Sequence, residues 1–329
     1  MRIGIMLKIG NIELDMPFFQ GSLSGYTDEA MRSIARQFGS PLTLTGVMLD
    51  KTAACAKARR SLGLDVAKNE QPVAAQIMGA TGEMMAKAAG ALEETGFDII
   101  DLNIACPAPK VLRRRRGGYL LKDPQRVRDI FLAVRGAVKC PVMMKLRIGY
   151  GGGEQSRDCF WQICENATGD GVDALVVHGR SVCQLYRGRA DWEIIAEVKQ
   201  RFPETIVIGS GDIYDAEEAI ERIETYKLDG VLVARGAIGN PWIFSDLKAL
   251  WKGDKKPEPA TLAEQGEVIL SHYDMISARR RHSKGVRYFR KFAARYCKRH
   301  PERKKAQLAL MAAKTGDQLT ASVKEWFGV

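Results

Sequence analysis

Short apolar runs rich in β-branched residues alternate with longer amphipathic segments over residues 17–234. Eight of these runs have the length and composition of buried β-strands: Pro17–Gln20, Leu42–Thr45, Val73–Met78, Ile99–Asn103, Val142–Leu146, Ala174–His178, Ile206–Gly209 and Gly230–Ala234. Segments of helical period separate most of them, at residues 82–95, 123–138, 156–168, 191–202 and 215–225. This alternation predicts a parallel sheet with helical crossovers. Eight units over roughly 250 residues favour a closed (β/α)8 (TIM) barrel over an open doubly wound sheet.

The pattern changes after residue 252. Residues 253–261 are polar and carry two prolines, which is typical of a linker. Helical periodicity without strand patterns then continues over residues 262–281, 284–298, 302–314 and 316–327. We therefore expect a TIM barrel at residues 1–252 and a small all-helical C-terminal domain at residues 262–329. Since no Gly-x-Gly-x-x-Gly follows the first predicted strand, a dinucleotide-binding Rossmann unit is disfavoured.

The chain is strongly basic, with a formal net charge of +11. Such an excess favours a polyanionic partner such as nucleic acid. Lysine and arginine are concentrated at residues 279–305, and four consecutive arginines occupy positions 113–116. The second predicted helix of the C-terminal domain is therefore expected to present a basic surface.

Other compositional features restrict the class of protein. No apolar run reaches the roughly 18 residues of a membrane span, and the N-terminal segment lacks the features of a signal peptide. The seven cysteines are scattered and form no Cys-x-x-Cys pair, so we expect neither a zinc site nor a disulfide framework. We expect a cytoplasmic protein with no metal and no membrane partner, acting as a monomer.

Polar or small residues, together with Leu23, lie at or directly after the ends of seven predicted strands. Because catalytic groups of a TIM barrel lie at the carboxyl ends of its strands, these residues should meet on one face. Packing alone does not readily account for so many polar strand ends on one face, so they predict a ligand site. In strand order they are Ser22, Leu23 and Ser24; Gln76; Asn103 and Cys106; Lys145 and Arg147; His178 and Arg180; Ser210, Gly211 and Asp212; and Ala234 and Arg235.

Cys106 is the candidate for chemistry at this face. It follows the apolar run Ile99–Asn103 and precedes Pro107, which cannot continue a strand ladder and disfavours helix at the residue before it. A thiol in such a loop can deliver a proton or attack an electrophile, which a cysteine packed in a core cannot. A small apolar residue at a strand end is the alternative interpretation.

The ends of strands seven and eight resemble a phosphate site. Glycine-flanked amides there, with Arg235 beside them, are typical of the phosphate site of barrels and indicate a phosphorylated cofactor or substrate. Lys145 would then lie beside the electron-rich end of a flavin ring and stabilise negative charge on its reduced form. Gln76 would hydrogen-bond the ring edge.

These motifs, in this order, resemble the flavin-dependent tRNA-dihydrouridine synthases over nearly the whole chain. The resemblance rests on Ser24–Asp28, Gln76–Gly79, Asp101–Pro107, Lys145–Arg147, His178–Arg180, Gln184–Gly188, Ala190–Trp192, Gly211–Ile213, Ala234–Gly236, Gly239–Phe244 and Arg290–Lys291.

The resemblance implies an FMN-bound barrel that uses NADPH to reduce the C5–C6 double bond of a uridine in RNA, with tRNA as the expected RNA. Hydride would pass from NADPH to FMN and from flavin N5 to uracil C6, and Cys106 would protonate C5. The implied FMN-binding residues are Ser22, Leu23, Ser24, Gln76, Lys145, His178, Ser210, Gly211, Asp212, Ala234 and Arg235. The implied uracil- and RNA-binding residues are Asn103, Arg180, Arg113, Arg114, Arg115, Arg116, Arg287, Arg290, Lys291 and Arg295, with Arg180 contacting either the flavin or the uracil.

The chain also departs from the family pattern. Residues 21–25 read Gly-Ser-Leu-Ser-Gly where many members have Ala-Pro-Met-Ala-Gly, and Gly46 stands where they have a glutamate. Ala105 replaces the glycine before the cysteine, and Phe292 replaces a histidine. The four arginines at 113–116 replace small residues beside the predicted mouth of the site, which indicates a changed RNA target or a changed mode of RNA binding. A run of solvated surface charge is the alternative interpretation.

Two other functions remain open on the sequence. One is a flavoenzyme barrel that reduces a free pyrimidine, which the basic C-terminal helices disfavour. The other is a catalytically altered RNA-binding homologue, which the departures at Ser22, Leu23 and Gly46 suggest and the retained Cys106 and Lys145 disfavour.

Overall fold

The computed structural model describes residues 6–62, 64, 66, 70–280 and 283–329. Its strands, in chain order, are β1 (Leu7–Ile9), β2 (Ile12–Leu14), β3 (Phe18–Gln20), β4 (Thr43–Leu44), β5 (Met48–Leu49), β6 (Val73–Met78), β7 (Ile99–Asn103), β8 (Val142–Arg147), β9 (Ala174–His178), β10 (Val207–Ser210) and β11 (Gly230–Val233).

A closed parallel barrel is built from β3, β4 and β6 to β11. Each of these strands pairs with the next, and β11 returns to β3 with Val231 opposite Phe18. The predicted TIM barrel is therefore confirmed. Every residue of β6, β7, β9 and β11 is buried, which explains why these strands read as continuous apolar runs.

The second predicted strand is interrupted. Thr43 of β4 lies opposite Val73, whereas Met48 of β5 lies opposite Ile77, so the register along β6 shifts by one residue between them. In the gap, the Gly46 amide donates to the carbonyl oxygen of Thr27, 2.8 Å away. This bond joins the interrupted strand to the loop that follows β3.

An antiparallel hairpin of β1 and β2 covers the amino-terminal end of the barrel. Leu7, Ile9 and Leu14 are buried against barrel-interior residues such as Phe19 and Leu232. The sequence analysis did not predict this hairpin, because two strands of three residues carry too little periodicity to be recognised.

The α-helices are α1 (Glu29–Gln37), α2 (Asp50–Ala54), α3 (Ala56–Leu62), α4 (Gly82–Glu93), α5 (Pro109–Leu112), α6 (Pro124–Ala137), α7 (Glu154–Gly169), α8 (Trp192–Arg201), α9 (Ala216–Tyr226), α10 (Trp242–Lys252), α11 (Leu262–Arg279), α12 (Ser283–Tyr296), α13 (Arg303–Ala312) and α14 (Gly316–Phe327). Short 3-10 helices cover Gly117–Lys122, Arg235–Ala237 and Cys297–Arg299. Among the described residues, no helix combines the length and the apolar character needed to cross a membrane.

Aspartates begin several barrel helices. The side chains of Asp28, Asp123, Asp191 and Asp215 each accept a hydrogen bond from a backbone amide in the first turn of α1, α6, α8 and α9. Such caps stabilise a helix start by about 1 kcal/mol and fix where the preceding loop ends. They therefore help to set the lengths of loops at the carboxyl ends of the strands.

The C-terminal region is entirely helical, as predicted, and residues 254–261 join it to α10 without helix or strand. The predicted first helix ends at Arg279, and residue 281 lies outside the described residues. This region contacts the barrel closely. Gly239 (φ +66°) lies so near α12 that a Cβ atom there would be 2.5 Å from the Tyr296 backbone nitrogen.

Candidate active site

A cavity of about 840 Å³, including its open mouth, lies at the carboxyl ends of the barrel strands. The predicted residues that line it are Ser22, Leu23, Ser24, Gln76, Asn103, Cys106, Lys145, His178, Ser210, Gly211, Asp212, Ala234 and Arg235. The structure thus brings together all the residues predicted to bind the cofactor, together with Asn103 and Cys106.

A chain of buried hydrogen bonds forms one wall of the cavity. Gln76 Nε2 donates to Asp101 Oδ2 (2.7 Å), and Asn103 Nδ2 donates to Gln76 Oε1 (2.6 Å). Asn103 Oδ1 accepts from the backbone amides of Ala105 (3.1 Å) and Cys106 (3.0 Å). The ends of β6 and β7 are therefore tied to the loop that carries the thiol.

The Cys106 loop is fixed from its other side by two glycines. The Gly118 amide donates to the Cys106 carbonyl oxygen, 3.0 Å away. Gly117 (φ +54°) leaves room for the cysteine, because a Cβ atom at position 117 would lie 3.0 Å from Cys106 Cβ. Cys106 is itself half-buried and lines the cavity, so its thiol can meet a ligand without a backbone rearrangement.

Positive charge dominates the adjacent wall, which the ends of β8 and β9 form. Lys145 Nζ lies 3.4 Å from Ser210 Oγ, and burial lowers the pKa of Lys145 while the nearby Asp101 carboxyl raises it. Burial, together with the charges of Lys145, Arg147, Arg180 and Arg235, holds the pKa of His178 well below its ordinary value of 6.5. His178 is therefore a neutral imidazole at pH 7 and can accept one hydrogen bond and donate another.

The loops after β10 and β11 meet at Asp212. Asp212 Oδ1 accepts from Arg235 Nη2 (2.9 Å), while Oδ2 accepts from Arg180 Nη2 (2.5 Å) and from the Ala190 amide (2.9 Å). Gly211 (φ +138°) is required beside it, because a Cβ atom there would lie 2.6 Å from Ala190 Cβ. This corner leaves Arg235 on the cavity surface, with its guanidinium 4.6 Å from the centre of the Tyr186 ring.

Arg180 has a different environment from the predicted one. It is 2% exposed and lies outside the cavity lining. Its guanidinium donates to the carbonyl oxygens of Arg187 (3.2 Å) and Gly188 (2.7 Å) as well as to Asp212. Arg180 therefore holds the loop between β9 and α8, and the prediction that it contacts the ligand does not match this geometry.

The four consecutive arginines do not share one environment. Arg113, Arg114 and Arg115 are exposed after α5, whereas Arg116 turns inward, with its Nη2 3.9 Å from the buried Asp50 carboxylate. Three of the four arginines thus face solvent beside the cavity loop.

The predicted basic residues of α12 divide in the same way. Arg287 and Arg295 are exposed. Arg290 Nη2 instead donates to the Ala313 carbonyl oxygen (2.7 Å), and Lys291 Nζ donates to the Gly25 carbonyl oxygen in the loop after β3. Arg290 and Lys291 therefore hold parts of the protein together in this structure, unlike the predicted RNA contact.

Arg147 and Tyr186 also line the cavity. Arg147 was predicted only as one of the strand-end residues of a ligand site, and Tyr186 was part of a motif without an assignment. Tyr186 is 56% exposed at the mouth. Their positions within the motifs Lys145–Arg147 and Gln184–Gly188 could have identified both residues from the sequence. In the described part of the chain, no group of histidine, cysteine, aspartate and glutamate side chains could hold a metal ion.

Comparison with known proteins gives consistent matches. A family model described as "Dihydrouridine synthase (Dus)" matches residues 22–326. The "Probable tRNA-dihydrouridine synthase" of Rickettsia prowazekii (strain Madrid E) is 37% identical over 276 residues, covering 82% of each chain. The "tRNA-dihydrouridine synthase B" of Pseudomonas syringae pv. tomato (strain ATCC BAA-871 / DC3000) is 31% identical over 321 residues, covering 98% of this chain and 94% of that protein.

Solved structures share the barrel at low sequence identity. Morphinone reductase superposes with a TM-score of 0.56 at 15% identity, over 79% of this chain and 92% of that one. Histamine dehydrogenase from Rhizobium sp. 4-9 gives a TM-score of 0.59 at 13% identity, over 83% of this chain and 51% of that one. At such identities the similarity concerns the fold alone.

Proposed function

Because the chain belongs to the dihydrouridine synthase family, we propose that it reduces a uridine of tRNA to 5,6-dihydrouridine, with FMN as cofactor and NADPH as reductant. Relatives named as tRNA-dihydrouridine synthases cover most of the chain and support this reaction. A tRNA substrate implies that the enzyme works in the cytoplasm.

The polar groups of the cavity fit a flavin. Ser22 Oγ is buried without a hydrogen-bond partner among the described residues, and Lys145 Nζ has only the long contact to Ser210. These groups are available to a ring that carries carbonyl oxygens and ring nitrogens. Bound FMN would supply the hydride, which it takes from NADPH and gives to uracil C6.

Each wall would then have its own task. Lys145 would stabilise negative charge on the reduced ring, and Gln76 would donate to the ring edge. The neutral His178 would bind the ring without adding charge. The Gly211 amide and Arg235 would hold the phosphate at the junction of the last two barrel strands, where barrels commonly bind this group.

Cys106 would be the general acid. Its loop is fixed by Asn103 and Gly118, so the thiol is held at the cavity wall. A neutral thiol can deliver its proton to C5 of the uracil ring as hydride reaches C6, and such proton transfer contributes about 10²- to 10⁴-fold in rate.

The exposed arginines would bind the RNA backbone. Arg113, Arg114 and Arg115 beside the cavity loop, with Arg287 and Arg295 on α12, would neutralise phosphates and release counterions. Because the cavity lies at the end of the barrel, the target uridine has to leave the RNA stack to enter it.

The observation that carries this proposal is the collection of all eleven predicted cofactor-binding residues, with Cys106, around one cavity. The test is an anaerobic absorbance experiment on the FMN-loaded protein. NADPH should bleach the flavin bands, and unmodified tRNA should restore them.

The matched variants are Cys106→Ala and Cys140→Ala. Cys140 lies before β8, at the opposite end of the barrel from the cavity. Both variants should be reduced by NADPH at the wild-type rate, but tRNA should reoxidise Cys106→Ala about 10² to 10⁴ times more slowly. Failure to bind FMN, or reoxidation by free uridine and not by tRNA, would refute the proposal.

A further inference from the structure

Asp101 lies beneath the cavity and not on its surface. It is fully buried on β7, two residues before Asn103, and is absent from the cavity lining. Its Oδ2 accepts from Gln76 Nε2 at 2.7 Å. Its Oδ1 has no hydrogen-bond partner among the described residues. Burying a carboxyl group this deeply costs free energy, and one hydrogen bond offsets only part of that cost.

The hydrogen bonds above Asp101 can run in only one direction. The two amides at Ala105 and Cys106 can only donate, so Asn103 must present its Oδ1 to them. Its Nδ2 then faces Gln76, which must present Oε1 in return. The Nε2 of Gln76 is thereby directed at Asp101, which receives it as an acceptor.

The carboxyl end favours the same direction. An ionised Asp101 is only an acceptor, and a proton on the unpartnered Oδ1 would still leave Oδ2 as an acceptor. The two ends of the chain of hydrogen bonds therefore agree. Each of the two side-chain amides uses one N–H within this chain and keeps a second one, and both side chains line the cavity.

We propose that Asp101 is a positioning residue that, together with the Ala105 and Cys106 amides at the other end of the chain of hydrogen bonds, fixes the orientation of the Gln76 and Asn103 amides, so that both offer N–H donors to carbonyl oxygens of a ring in the cavity. This inference rests on the proposed function for the identity of those rings, which are the pyrimidine portion of the flavin and the uracil. Both rings carry carbonyl acceptors, and FMN affinity and reoxidation by tRNA report on them separately.

The first test is Asp101→Asn, which preserves shape but offers either an oxygen or an N–H to Gln76. The orientation of Gln76 is then enforced only from the end of the Ala105 and Cys106 amides, through Asn103. We expect the dissociation constant for FMN, measured by flavin fluorescence, to rise about tenfold, the usual effect of one hydrogen bond. The thermal midpoint should match that of Asp98→Asn. Asp98 lies just before β7 and also accepts a hydrogen bond through its carboxyl group, from the Val73 amide.

Asp98→Asn is the control for a merely structural role, and its FMN affinity should equal that of the wild type. Equal FMN affinity in Asp101→Asn and the wild type would overturn the inference. So would an equal loss of affinity in both variants. Because this measurement needs neither NADPH nor tRNA, it tests Asp101 even if the proposed reaction fails.

The second test separates amide orientation from charge. In the double variant Gln76→Glu with Asp101→Asn, the carboxylate and the amide exchange places. The carboxylate at 76 accepts from both neighbours, so Asn103 is again held in its native orientation from both sides, but position 76 has no N–H left for the ring. We expect the rate of flavin reoxidation by tRNA, measured at saturating FMN, to recover relative to Asp101→Asn while FMN affinity stays low. If the reoxidation rate and the FMN affinity both recover, Asp101 acts only by balancing the charge of Lys145. That result would overturn the inference.

Discussion

Arg147 Nε donates a hydrogen bond to the Ala105 carbonyl oxygen, 3.0 Å away, and so joins the end of β8 to the loop that carries Cys106. Its Nη1 also donates to the carbonyl oxygens of Ser181 (2.8 Å) and Leu185 (2.9 Å). One guanidinium therefore holds the loops that follow β7 and β9, the strands on either side of β8. A planar fork with several donors is required for this, and a lysine ammonium cannot reproduce it.

We predict that Arg147→Lys destabilises the protein by about 2–3 kcal/mol, because buried carbonyl groups lose charged donors. Reoxidation of the flavin by tRNA should slow more than its reduction by NADPH, since the Cys106 loop loses its anchor. Urea unfolding and stopped-flow absorbance measure the two effects.

Arg135→Lys is a matched control for this prediction. Arg135 donates to the carbonyl oxygens of Val138 and Cys140 and to Asp173, at the opposite end of the barrel. It should lose stability without a change in either flavin step. A similar rate loss in both variants would show that Arg147 has no special effect on the cavity.

The exposed arginines give a prediction about salt dependence. Replacing Arg113, Arg114 and Arg115 together by glutamine should weaken tRNA binding at low salt. The slope of log K against log salt should fall by roughly 0.7–0.9 for each phosphate that the protein no longer neutralises. Filter binding at several salt concentrations measures this slope, and FMN affinity should not change.

Arg116→Gln should behave in the opposite way, although it is adjacent in sequence. Arg116 is mostly buried beside Asp50, so its loss leaves a buried carboxylate without its counter-charge and lowers stability. The slope of log K for tRNA binding against log salt should stay at the wild-type value. If Arg116→Gln reduces the slope as each exposed arginine does, the assignment of the three outer arginines as the RNA contacts is wrong.

These arginines also illustrate how far the sequence could predict the structure. The alternation of apolar runs sufficed for the barrel, because strands buried on both faces are apolar throughout. The positions of the site residues followed from the rule that strand ends meet on one face. Neither inference needs knowledge of which residues contact one another.

The direction of an individual side chain does need that knowledge. Arg180 is directed inward by the Gly188 carbonyl oxygen and Asp212, and Arg290 by the Ala313 carbonyl oxygen, 23 residues away in sequence. A basic residue in a surface pattern carries no sign of such partners. The interruption between β4 and β5 likewise depends on a register shift along β6, which no local pattern records.

Two glycines near the cavity should respond differently to the same substitution. At Gly236, a Cβ atom would lie 2.3 Å from the Ile213 carbonyl oxygen, so Gly236→Ala must displace backbone and should cost about 1–3 kcal/mol. At Gly46, the nearest atoms to a Cβ atom would be 3.4 Å away, on Thr27. Gly46→Ala should therefore be neutral, or it should stabilise the protein by about 0.4–1 kcal/mol because alanine lowers the conformational entropy of the unfolded chain.

Urea unfolding of the two glycine variants measures both values. FMN affinity should be unchanged in Gly46→Ala, because its Cβ contacts the loop after β3 without displacing it. Marked destabilisation of Gly46→Ala would mean that the absence of a side chain at 46 is required by the packing of that loop.

His272 predicts how stability depends on pH. It is 2% exposed on α11, with its Nδ1 2.9 Å from Tyr296 Oη and its ring against Phe289 and Phe292. Its Nε2 has no partner among the described residues. Burial lowers the pKa of His272 to about 4 from its ordinary 6.5, so the native protein keeps this ring neutral at pH values where the unfolded chain protonates it.

The sign of the effect follows from this pKa. A base whose pKa is lowered in the native state stabilises the protein fully above pH 6.5. This stabilisation is lost as the pH falls towards 4, at up to about 1.4 kcal/mol per pH unit. His272→Asn keeps a hydrogen-bonding partner for Tyr296 but does not titrate. The free energy of unfolding of the wild type, measured in urea between pH 7 and pH 4.5, should therefore fall more steeply than that of His272→Asn. Tyr296→Phe, which retains the histidine, should keep most of the wild-type slope, and parallel curves for the wild type and His272→Asn would contradict the assignment.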